Sequence, residues 1–243
     1  MTAATTCELT VVVACYQEES HLRESVRQLV ATLDALGRSY ELLFLEDCSR
    51  DRTADVVREL IAGQPHMRAV FHTQNVGRGG TVAEGFRLAR GRIVGFLDID
   101  LEVHCRYLPA VLQAIDQGAD GATAFREYEV GWRPTAFVRH VLSQGYRWLF
   151  RRLFDVPFRD PETGFKFFVR DRILPVVAKT RDPGWFWDSE IMILAHQAGL
   201  RVVEVPCRFE RRADKASTVR IVRDVLRYLV AIRAFRKRQQ QGA

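Results

Sequence analysis

The feature that most constrains this chain is an alternation of short apolar runs with helical segments over its first 125 residues. The runs that begin at Leu9, Tyr40, Met67 and Ile93 contain few polar residues. Such runs are typical of strands that are buried on both faces of a parallel sheet. Apolar residues recur at helical spacing in the segments between them. The pattern therefore predicts an α/β fold with a Rossmann-like, doubly wound, mostly parallel sheet and flanking helices.

The same patterns give approximate bounds for each element. Gly37 is expected to end the first helix, and Ser49 is expected to cap the second. A tight glycine loop is predicted at 75–80, and Pro206 is expected to stop the last strand. The predicted strands are Leu9–Ala14, Tyr40–Leu45, Met67–Phe71, Ile93–Asp100, Asp120–Ala124, Asp160–Val169 (a turn, then a strand) and Leu200–Val205, and the predicted helices are Glu18–Leu36, Asp51–Ile61, Thr81–Ala89, Tyr107–Ile115, Pro134–Phe154, Asp188–Ala198 and Ser217–Arg238.

Two carboxylates, Asp98 and Asp100, end the fourth apolar run. In an extended chain, residues i and i+2 face the same side, so both side chains would project together while Ile99 points the other way. Ligands of open α/β sheets bind beyond the carboxyl ends of the strands. Two hard oxygen ligands at that edge suit Mg²⁺ or Mn²⁺ holding a nucleotide diphosphate. A polar strand end or a helix N-cap is the alternative interpretation.

Composition narrows the class of protein. The chain of 243 residues is 47% hydrophobic and 27% charged, which is typical of a soluble globular protein. Its five cysteines are scattered and lack metal-ligand spacing, so reduced thiols of a cytoplasmic protein are expected. The sequence shows neither a signal peptide nor the run of roughly 18 apolar residues that a membrane span requires.

The net charge of +6 is concentrated at the C-terminal end. Residues 217–243 carry seven basic residues and one acidic residue, whereas the rest of the chain has 29 of each sign. This distribution argues against a nucleic-acid partner and predicts a local anionic one. A basic amphipathic helix suits contact with an anionic membrane surface, and ordinary packing on the domain is the alternative. The predicted helix has Val222, Val225, Leu226 and Leu229 on one side and Arg220, Arg223 and Arg227 on another.

The two common phosphate-binding loops are missing from the sequence. The residues after the first predicted strand read CYQEE, where nicotinamide enzymes have GxGxxG, and no Walker loop occurs. A nucleotide site in this chain is therefore expected to be built from other residues.

Five short motifs follow one another along the chain. Residues 14–18 (ACYQE) resemble Pro-x-Tyr-Asn-Glu, residues 46–53 (EDCSRDRT) resemble Asp-Asp-Gly-Ser-x-Asp-x-Thr, residues 75–80 (NVGRGG) resemble Asn-x-Gly-Lys-Gly, residues 98–100 resemble the metal-binding Asp-x-Asp, and residues 160–166 (DPETGFK) resemble Asp-x-x-x-Gly-Phe-Lys. In this order the motifs resemble those of family 2 glycosyltransferases with the GT-A fold. Within that family they look most like polyprenyl-phosphate sugar transferases, such as the dolichyl-phosphate mannosyl- and glucosyltransferases. The resemblance covers about residues 8–220.

The resemblance implies roles for the matching residues. Asp47 is expected to accept a hydrogen bond from the nucleotide base, and Glu18 to support the nucleotide half of the domain. The alternatives are an N-cap or turn role for Asp47, a helix-start carboxylate facing the dipole for Glu18 and a structural turn for Arg78. Arg78 is expected to contact phosphate or base, since its loop precedes a helix N-terminus that favours anions. A metal ion at Asp98 and Asp100 would offset charge on the departing nucleotide diphosphate. The implied nucleotide-sugar-binding residues are Ala14, Tyr16, Glu18, Asp47, Asn75, Gly77, Arg78, Asp98 and Ile99.

The second half of the chain is expected to handle the acceptor. Arg126, Arg139 and Arg212 are candidate phosphate ligands, because a guanidinium group matches phosphate oxygens in bidentate fashion. Lys166 is expected to orient sugar or phosphate. A strand-edge lysine is the alternative for Lys166, and a solvated helix face is the alternative for Arg139. The segment 212–218 keeps only Arg212 and Ser217 of the family pattern Arg-x-x-Gly-x-Ser-Lys, which leaves the identity of the acceptor open.

The catalytic candidates are Asp100, Asp188 and Glu190. Transfer to a sugar hydroxyl with inversion needs a carboxylate that takes the proton, whereas a lipid phosphate is already anionic. Capping of the helix that starts here is the alternative role for Asp188 and Glu190. The neighbouring Trp185 and Trp187 could stack on a sugar face or fill the core.

The sequence thus predicts an inverting, metal-dependent glycosyltransferase that uses a UDP- or GDP-sugar. The expected acceptor is a polyprenyl phosphate, and the expected location is the cytoplasm with peripheral contact to the inner membrane face. One alternative is a soluble family 2 transferase that acts on a sugar hydroxyl or a small molecule, and another is a non-catalytic sugar-nucleotide-binding subunit. The predicted organisation is a catalytic domain at 1–216, with a nucleotide-binding half at 1–125 and an acceptor half at 126–216, followed by a helix at 217–243.

Overall fold

A computed structural model describes residues 7–127, 150–210 and 221–241, with the side chains of the last helix described from residue 228. The described residues form one seven-stranded sheet with helices on both faces. The strands are β1 (Cys7–Cys15), β2 (Tyr40–Glu46), β3 (Met67–Phe71), β4 (Gly91–Leu97), β5 (Gly121–Glu127), β6 (Phe165–Val169) and β7 (Val202–Arg208). The helices are α1 (Leu22–Ala35), α2 (Thr53–Ile61), α3 (Arg78–Leu88), α4 (Leu108–Asp116), α5 (Arg170–Val177), α6 (Trp187–Gln197) and α7 (Ile221–Gln241), with a 3₁₀ turn at Cys105–Tyr107.

The strand order across the sheet is β3-β2-β1-β4-β6-β5-β7. All neighbouring strands are parallel except β6, which is antiparallel to both β4 and β5. The chain builds outward from β1 to β3 and then returns to β4 on the other side of β1. Such a reversal of strand order is where open α/β sheets bind their ligands. The predicted doubly wound, mostly parallel sheet is confirmed.

The core lies in two layers, one on each face of the sheet. Val11 and Val13 of β1 face the layer formed with α1, α2 and α4, and Val12 faces the opposite layer. All three side chains are completely buried, as their uninterrupted apolar run predicts. Burial of a side chain of this size contributes about 1.5–3 kcal/mol. The first strand is therefore a central element that holds both layers together.

One sheet runs through both predicted halves of the catalytic domain. β5 crosses the predicted boundary at residue 125, and β6 lies between β4 and β5. The division into a nucleotide-binding half and an acceptor half therefore stays a prediction about function. Among the described residues, which include all five cysteines, no disulfide is formed.

The glycine loop predicted at 75–80 is shorter than expected, because α3 already begins at Arg78. Gly77 precedes the helix with a φ of 86°, a left-handed conformation that favours glycine. Gly79 lies in the first helical turn, where an added β-carbon would be 2.5 Å from Cβ of Trp187. The absence of a side chain at Gly79 thus allows α3 to pack closely against α6.

Two further expectations about element ends are corrected. β7 continues through Pro206 to Arg208, because it is an edge strand that pairs with β5 alone and can accommodate a residue without an N–H. Ser49 does not cap α2; its hydroxyl accepts a hydrogen bond from the backbone N–H of Gln17. The prediction that Gly37 ends the first helix is confirmed, with a φ of 64°.

The last helix packs on the domain through Tyr228, Ile232 and Phe235. Phe186 contacts the rings of both Tyr228 and Phe235, and the Tyr228 hydroxyl lies 2.6 Å from Ser189 Oγ. The packed side differs from the predicted apolar side, since Leu229 is 51% exposed. No helix among the described residues has the length and apolarity of a membrane span. Several sequence predictions lie outside what is described, namely most of the helix Pro134–Phe154, the segment 212–218, Arg139, Arg212, Ser217, Arg220 and the side chains of Val222, Arg223, Val225, Leu226 and Arg227.

Candidate active site

A small cleft opens beyond the carboxyl end of β4, at the reversal of strand order. Both predicted metal ligands, Asp98 and Asp100, lie at its surface. One wall comes from the segment that precedes β6, and another from the isolated bridge between Val103 and Phe209. The lining residues are Asp98, Asp100, Glu102, Val103, Arg126, Thr163, Gly164 and Phe209.

The two aspartates share the cleft because of a turn, and not because the chain is extended as predicted. β4 ends at Leu97, and the N–H of Leu101 donates to the carbonyl oxygen of Asp98 at 3.0 Å. Leu101 has a φ of 56°, which closes the turn. The side chain of Ile99 points into the core and is 3% exposed. It is therefore not placed to contact a nucleotide-sugar, in contrast to the prediction.

Asp98 is held between an arginine and a glycine. Arg78 donates to Asp98 Oδ1 from Nε at 3.1 Å and from Nη2 at 2.6 Å. On the other side, a β-carbon at Gly164 would come within 1.8 Å of Asp98 Oδ2. The backbone of Gly164 also accepts a hydrogen bond from the N–H of Asp98 at 2.8 Å. The carboxylate is therefore fixed in orientation while its side chain remains 42% exposed.

Arg78 also reaches a second, buried carboxylate. Its Nη1 donates to Asp188 Oδ2 at 2.5 Å, and its guanidinium lies over the ring of Phe96. Burial disfavours the charge on Arg78, but the carboxylates of Asp188 and Asp98 outweigh burial and raise its pKa. The loop arginine thus binds two carboxylates of the protein itself, which is a different geometry from the predicted contact with phosphate or base.

Asp188 and Lys166 form a buried pair behind Asp98. Lys166 Nζ lies 3.8 Å from Asp188 Oδ1, an ionic contact too long for a hydrogen bond. Burial raises the pKa of Asp188, and Arg78 and Lys166 partly offset that effect. Burial lowers the pKa of Lys166 to about 8, against the attraction of Asp188. The pair completes a chain of alternating charges from Asp98 through Arg78 and Asp188 to Lys166.

Lys166 does not reach the cleft. The side chain is completely buried within β6, where its ammonium group donates to the carbonyl oxygen of Thr163. The prediction that Lys166 contacts sugar or phosphate is therefore corrected to an indirect role. Thr163 lines the cleft, so Lys166 supports the wall next to Asp98.

Arg126 lines the cleft, and its role as a ligand of the acceptor phosphate stays a prediction. Its Nε and Nη2 donate to the two carboxylate oxygens of Asp160, each at 2.7 Å. Its backbone N–H donates to Asp160 Oδ2 at 3.0 Å. Asp160 is buried, so this bidentate pair fixes the guanidinium at the cleft. Asp160 belongs to the DPETGFK motif, but no local pattern indicates its pairing with Arg126.

Asp47 is placed at the end of β2, but its carboxylate is directed into the protein. Oδ1 accepts from the N–H of Val76 at 2.8 Å, and Oδ2 accepts from the N–H of Gly77 at 3.0 Å. His72 Nδ1 lies 2.8 Å from Oδ1. The N–H groups at the start of the predicted anion-binding loop are therefore occupied by an internal carboxylate. This geometry favours a structural role for Asp47 over recognition of a base.

The other predicted nucleotide residues lie at or just beyond the carboxyl ends of β1 and β3. Ala14 is half-buried near the end of β1, and Tyr16 is exposed just beyond it. Glu18 Oε2 lies 2.5 Å from His21 Nε2, and the Glu18 N–H donates to Thr53 Oγ1 at 2.9 Å. Asn75 donates from Nδ2 to the carbonyl oxygen of Asp47 at 3.0 Å. These residues share one edge of the sheet, and their binding roles stay predictions.

Glu190 is completely buried and does not line the cleft. Its Oε2 accepts from the backbone N–H groups of Arg181 and Asp182 at 2.9 and 2.8 Å. Its Oε1 accepts from Nη2 of Arg238 in α7 at 2.7 Å. With both oxygens occupied, Glu190 ties the loop before α6 to the last helix. The geometry favours this structural role over the predicted catalytic one.

The cleft suits a divalent cation through its oxygen ligands. Asp98 and Asp100 present carboxylates to it, and a backbone N–H from Glu102 to Asp100 Oδ1, at 3.2 Å, orients the second one. Among the described residues, no group of three or more His, Cys, Asp or Glu side chains is arranged to hold a metal. A site with two protein carboxylates fits a metal such as Mg²⁺, which is usually bound by one or two carboxylates together with substrate phosphates.

The sequence interpretation missed several residues of the cleft. Gly164 stands in the DPETGFK motif, and Glu102 continues the spacing of two residues between Asp98 and Asp100. Both could therefore have been found from the local sequence. Val103 and Phe209 meet across 106 residues of sequence only through a β-bridge, which no local pattern indicates.

Comparison with solved structures identifies the fold as that of GT-A glycosyltransferases. One match is glucosyl-3-phosphoglycerate synthase from Mycobacterium tuberculosis, solved in complex with Mn²⁺, UDP and glucosyl-3-phosphoglycerate. Its TM-score is 0.63 at 19% identity, over 87% of this chain and 74% of that chain. The family model for glycosyl transferase family 2 matches residues 10–171. The chain belongs to glycosyl transferase family 2.

Two curated relatives match most of this chain. Glycosyltransferase AglD from Haloferax volcanii is 31% identical over 227 residues, which are 90% of this chain but only 35% of that protein. A dolichyl-phosphate beta-glucosyltransferase from Dictyostelium discoideum is 26% identical over 250 residues, covering 92% of this chain and 76% of the relative. The chain thus spans about a third of the first relative's length.

Proposed function

We propose that this chain catalyses metal-dependent transfer of a hexose from a nucleotide-diphospho-sugar to a polyprenyl phosphate, with inversion at the sugar. The observation that carries the proposal is the cleft in which Asp98, Asp100 and Arg126 converge at the reversal of strand order. Family membership supports the reaction class, and the dolichyl-phosphate relative supports the kind of acceptor.

Asp98 and Asp100 are the residues that would hold Mg²⁺ or Mn²⁺ against the diphosphate. When bound, the metal supplies positive charge that stabilises the departing nucleoside diphosphate. The protein contributes a preorganised ligand, because Arg78 and Gly164 fix the carboxylate of Asp98 before anything binds. The residues just beyond β1 and β3, including Tyr16 and Glu18, are proposed to bind the nucleotide.

The burial of the candidate bases supports a phosphate acceptor. Asp188 and Glu190 are both buried and bonded to protein groups, so neither is placed to take a proton from a sugar hydroxyl. An anionic phosphate oxygen can attack C1 of the hexose directly, while the bond from C1 to the diphosphate breaks. No proton moves in that step, and no general base is needed.

Arg126 is proposed to bind the acceptor phosphate at the edge of the cleft. Its pairing with Asp160 holds the planar guanidinium group in one orientation, which favours recognition of a phosphate. Arg139, Arg212 and Ser217 are proposed as further ligands of phosphate on the basis of the sequence alone.

Contact with an anionic membrane is proposed for the outer side of α7. Arg233, Arg236 and Lys237 are exposed there together with Leu229 and Val230. Basic and apolar side chains on one face of a helix suit the interface of an anionic lipid layer. This arrangement would bring the domain to a lipid-phosphate acceptor from the cytoplasmic side.

The test is release of nucleoside diphosphate from UDP-glucose or GDP-mannose in the presence of Mn²⁺. Undecaprenyl phosphate in detergent is compared with glucose and 3-phosphoglycerate as acceptors. Turnover should require the lipid phosphate and should fall about 100-fold in Asp100→Asn, which keeps the shape of the side chain but removes its charge. Asp55→Asn, on the exposed side of α2, is the matched control and should leave turnover unchanged.

Turnover that is unaffected by a chelator would contradict the metal dependence. Turnover with glucose or 3-phosphoglycerate, and none with the lipid phosphate, would favour a soluble transferase. Binding of a sugar nucleotide without any transfer would favour a non-catalytic subunit.

A further inference from the structure

Trp185 is an exposed aromatic residue next to the buried charges of the candidate active site. It is 61% exposed, and its ring lies 5.1 Å from the guanidinium carbon of Arg78. Arg78 in turn donates to Asp98 at 2.6 Å. A single guanidinium group therefore separates the indole from the first aspartate of the predicted metal site.

The loop that carries Trp185 is tied down on both sides. Glu190 accepts hydrogen bonds from the N–H groups of Arg181 and Asp182, at 2.9 and 2.8 Å. Asp182 Oδ1 accepts from the N–H of Gly184 at 2.8 Å, and the buried Trp187 follows directly in α6. The backbone around Trp185 is thus fixed by charge-assisted hydrogen bonds, although its side chain stands in water.

The loop that carries Trp185 packs against the start of α3. The carbonyl oxygen of Pro183 accepts from the N–H of Gly80 at 3.2 Å. A β-carbon at Gly77 would lie 2.5 Å from the same carbonyl oxygen. This close packing places the indole against Arg78 before any ligand binds. A rigid aromatic group with an open surface loses little conformational freedom on binding, so it is preorganised for a ligand.

We propose that the exposed surface of Trp185 binds the sugar ring of the donor by stacking. The inference rests on the proposed function, which places a nucleotide diphosphate at Asp98 and Asp100. The hexose is the next group along such a donor, so it lies within reach of residues that adjoin Asp98. The C–H face of a hexose is apolar and packs on an aromatic ring, while its hydroxyls stay available for hydrogen bonds.

The test compares binding of nucleotide with and without the sugar. Calorimetry in the presence of Mn²⁺ measures UDP against UDP-glucose, and GDP against GDP-mannose. Trp185→Ala should weaken binding of the sugar nucleotide about tenfold and leave the affinity of the free nucleoside diphosphate unchanged. Trp185→Phe should retain most of the affinity, because a ring remains. The matched control is Leu88→Ala, which removes a 38% exposed apolar side chain at the opposite end of α3.

The outcomes separate this inference from the proposed function. If the unaltered protein binds none of the four ligands, the proposed function fails and the stacking role fails with it. If the unaltered protein binds the sugar nucleotides and Trp185→Ala binds them equally well, only the stacking role is overturned. Equal weakening of UDP and UDP-glucose also overturns it, since Trp185 would then act through Arg78 and Asp98. Binding of methyl glucoside alone that depends on Trp185 would assign the surface to an acceptor sugar and overturn the donor assignment.

Discussion

Gly164 faces Asp98 so closely that a β-carbon at position 164 would lie 1.8 Å from Asp98 Oδ2. The Asp98 carboxylate can therefore hold this position only because residue 164 has no side chain. Gly164→Ala should displace the carboxylate and weaken Mn²⁺-dependent binding of UDP or GDP at least about tenfold, as expected when a ligand loses its productive geometry. Titration calorimetry with and without Mn²⁺ measures this effect.

The matched control for Gly164→Ala is Gly80→Ala. A β-carbon at Gly80 would meet only the side chain of Val76, at an ordinary 3.6 Å. The control should bind nucleotide normally and should be slightly more stable, by up to about 1 kcal/mol, because alanine favours a helix. Normal Mn²⁺-dependent binding in Gly164→Ala would show that Asp98 does not need this orientation.

Asp47 should affect stability more than nucleotide binding. Replacing it with alanine would leave the half-buried N–H groups of Val76 and Gly77 without their acceptor, at a cost of about 1 kcal/mol, the lower end for an unsatisfied donor. Urea unfolding measures the loss, and Asp34→Ala serves as control because the Asp34 carboxylate accepts a hydrogen bond at the surface, from the hydroxyl of Tyr40. Unchanged stability together with weakened nucleotide binding would restore the predicted contact between Asp47 and the base.

Glu190 offers a direct comparison between a structural and a catalytic carboxylate. Glu190→Gln loses the ionic bond to Arg238 and presents an amide to the N–H groups of Arg181 and Asp182. Faster hydrogen exchange is therefore expected at residues 181–185 and in α7. Arg238→Gln should produce the change in α7 without the change at 181–185. Loss of turnover in Glu190→Gln without any change in exchange would indicate that Glu190 is catalytic after all.

Much of the sheet was predictable from the sequence, because its central strands are buried on both faces. The runs that begin at Leu9 and Ile93 are buried almost throughout, as an uninterrupted apolar run predicts. The half-buried edge strand β3 also has the predicted bounds. The site was predictable only as far as its residues follow strand ends. Asp98 and Asp100 could be found because they follow the apolar run of β4. The turn that brings them into one cleft could not be predicted from the local sequence.

The remaining features depend on partners that are distant in sequence. Lys166 follows a glycine and a phenylalanine, as a surface lysine could, and only its contact with Asp188 and Thr163 explains its burial. Arg78 belongs to a motif typical of phosphate binding, but its guanidinium binds two carboxylates, one just beyond β4 and one in α6. The position and contacts of a charged side chain can be predicted only when its counter-ion is known. Local sequence patterns do not identify that counter-ion.

The outer side of α7 should bind anionic lipid through its exposed cations. Replacing Arg233, Arg236 and Lys237 with glutamine should reduce flotation with anionic liposomes, because each cation near such a surface contributes about 1 kcal/mol. The effect should disappear at high salt, which screens the attraction. A control with the same loss of charge replaces the exposed cations Arg87, Arg90 and Arg92. If both variants float as well as the unaltered protein, α7 has no role in lipid binding and serves only to pack on the domain.

The buried ammonium of Lys166 should make stability depend on pH in an alkaline window. Its pKa is lowered by burial from the ordinary 10.5 to about 8, so between these values the unfolded chain binds a proton that the folded protein has released. Stability from this group therefore rises with pH between about 8 and 10.5 and is lost as pH falls through 8. Lys166→Met should remove this rise, which urea unfolding at pH 7.5, 9 and 10 measures as a difference from the unaltered protein. The exposed Lys179, replaced in the same way, should retain the full rise. Parallel curves for Lys166→Met and the unaltered protein would mean that Lys166 keeps an ordinary pKa through its contacts with Asp188 and the carbonyl of Thr163.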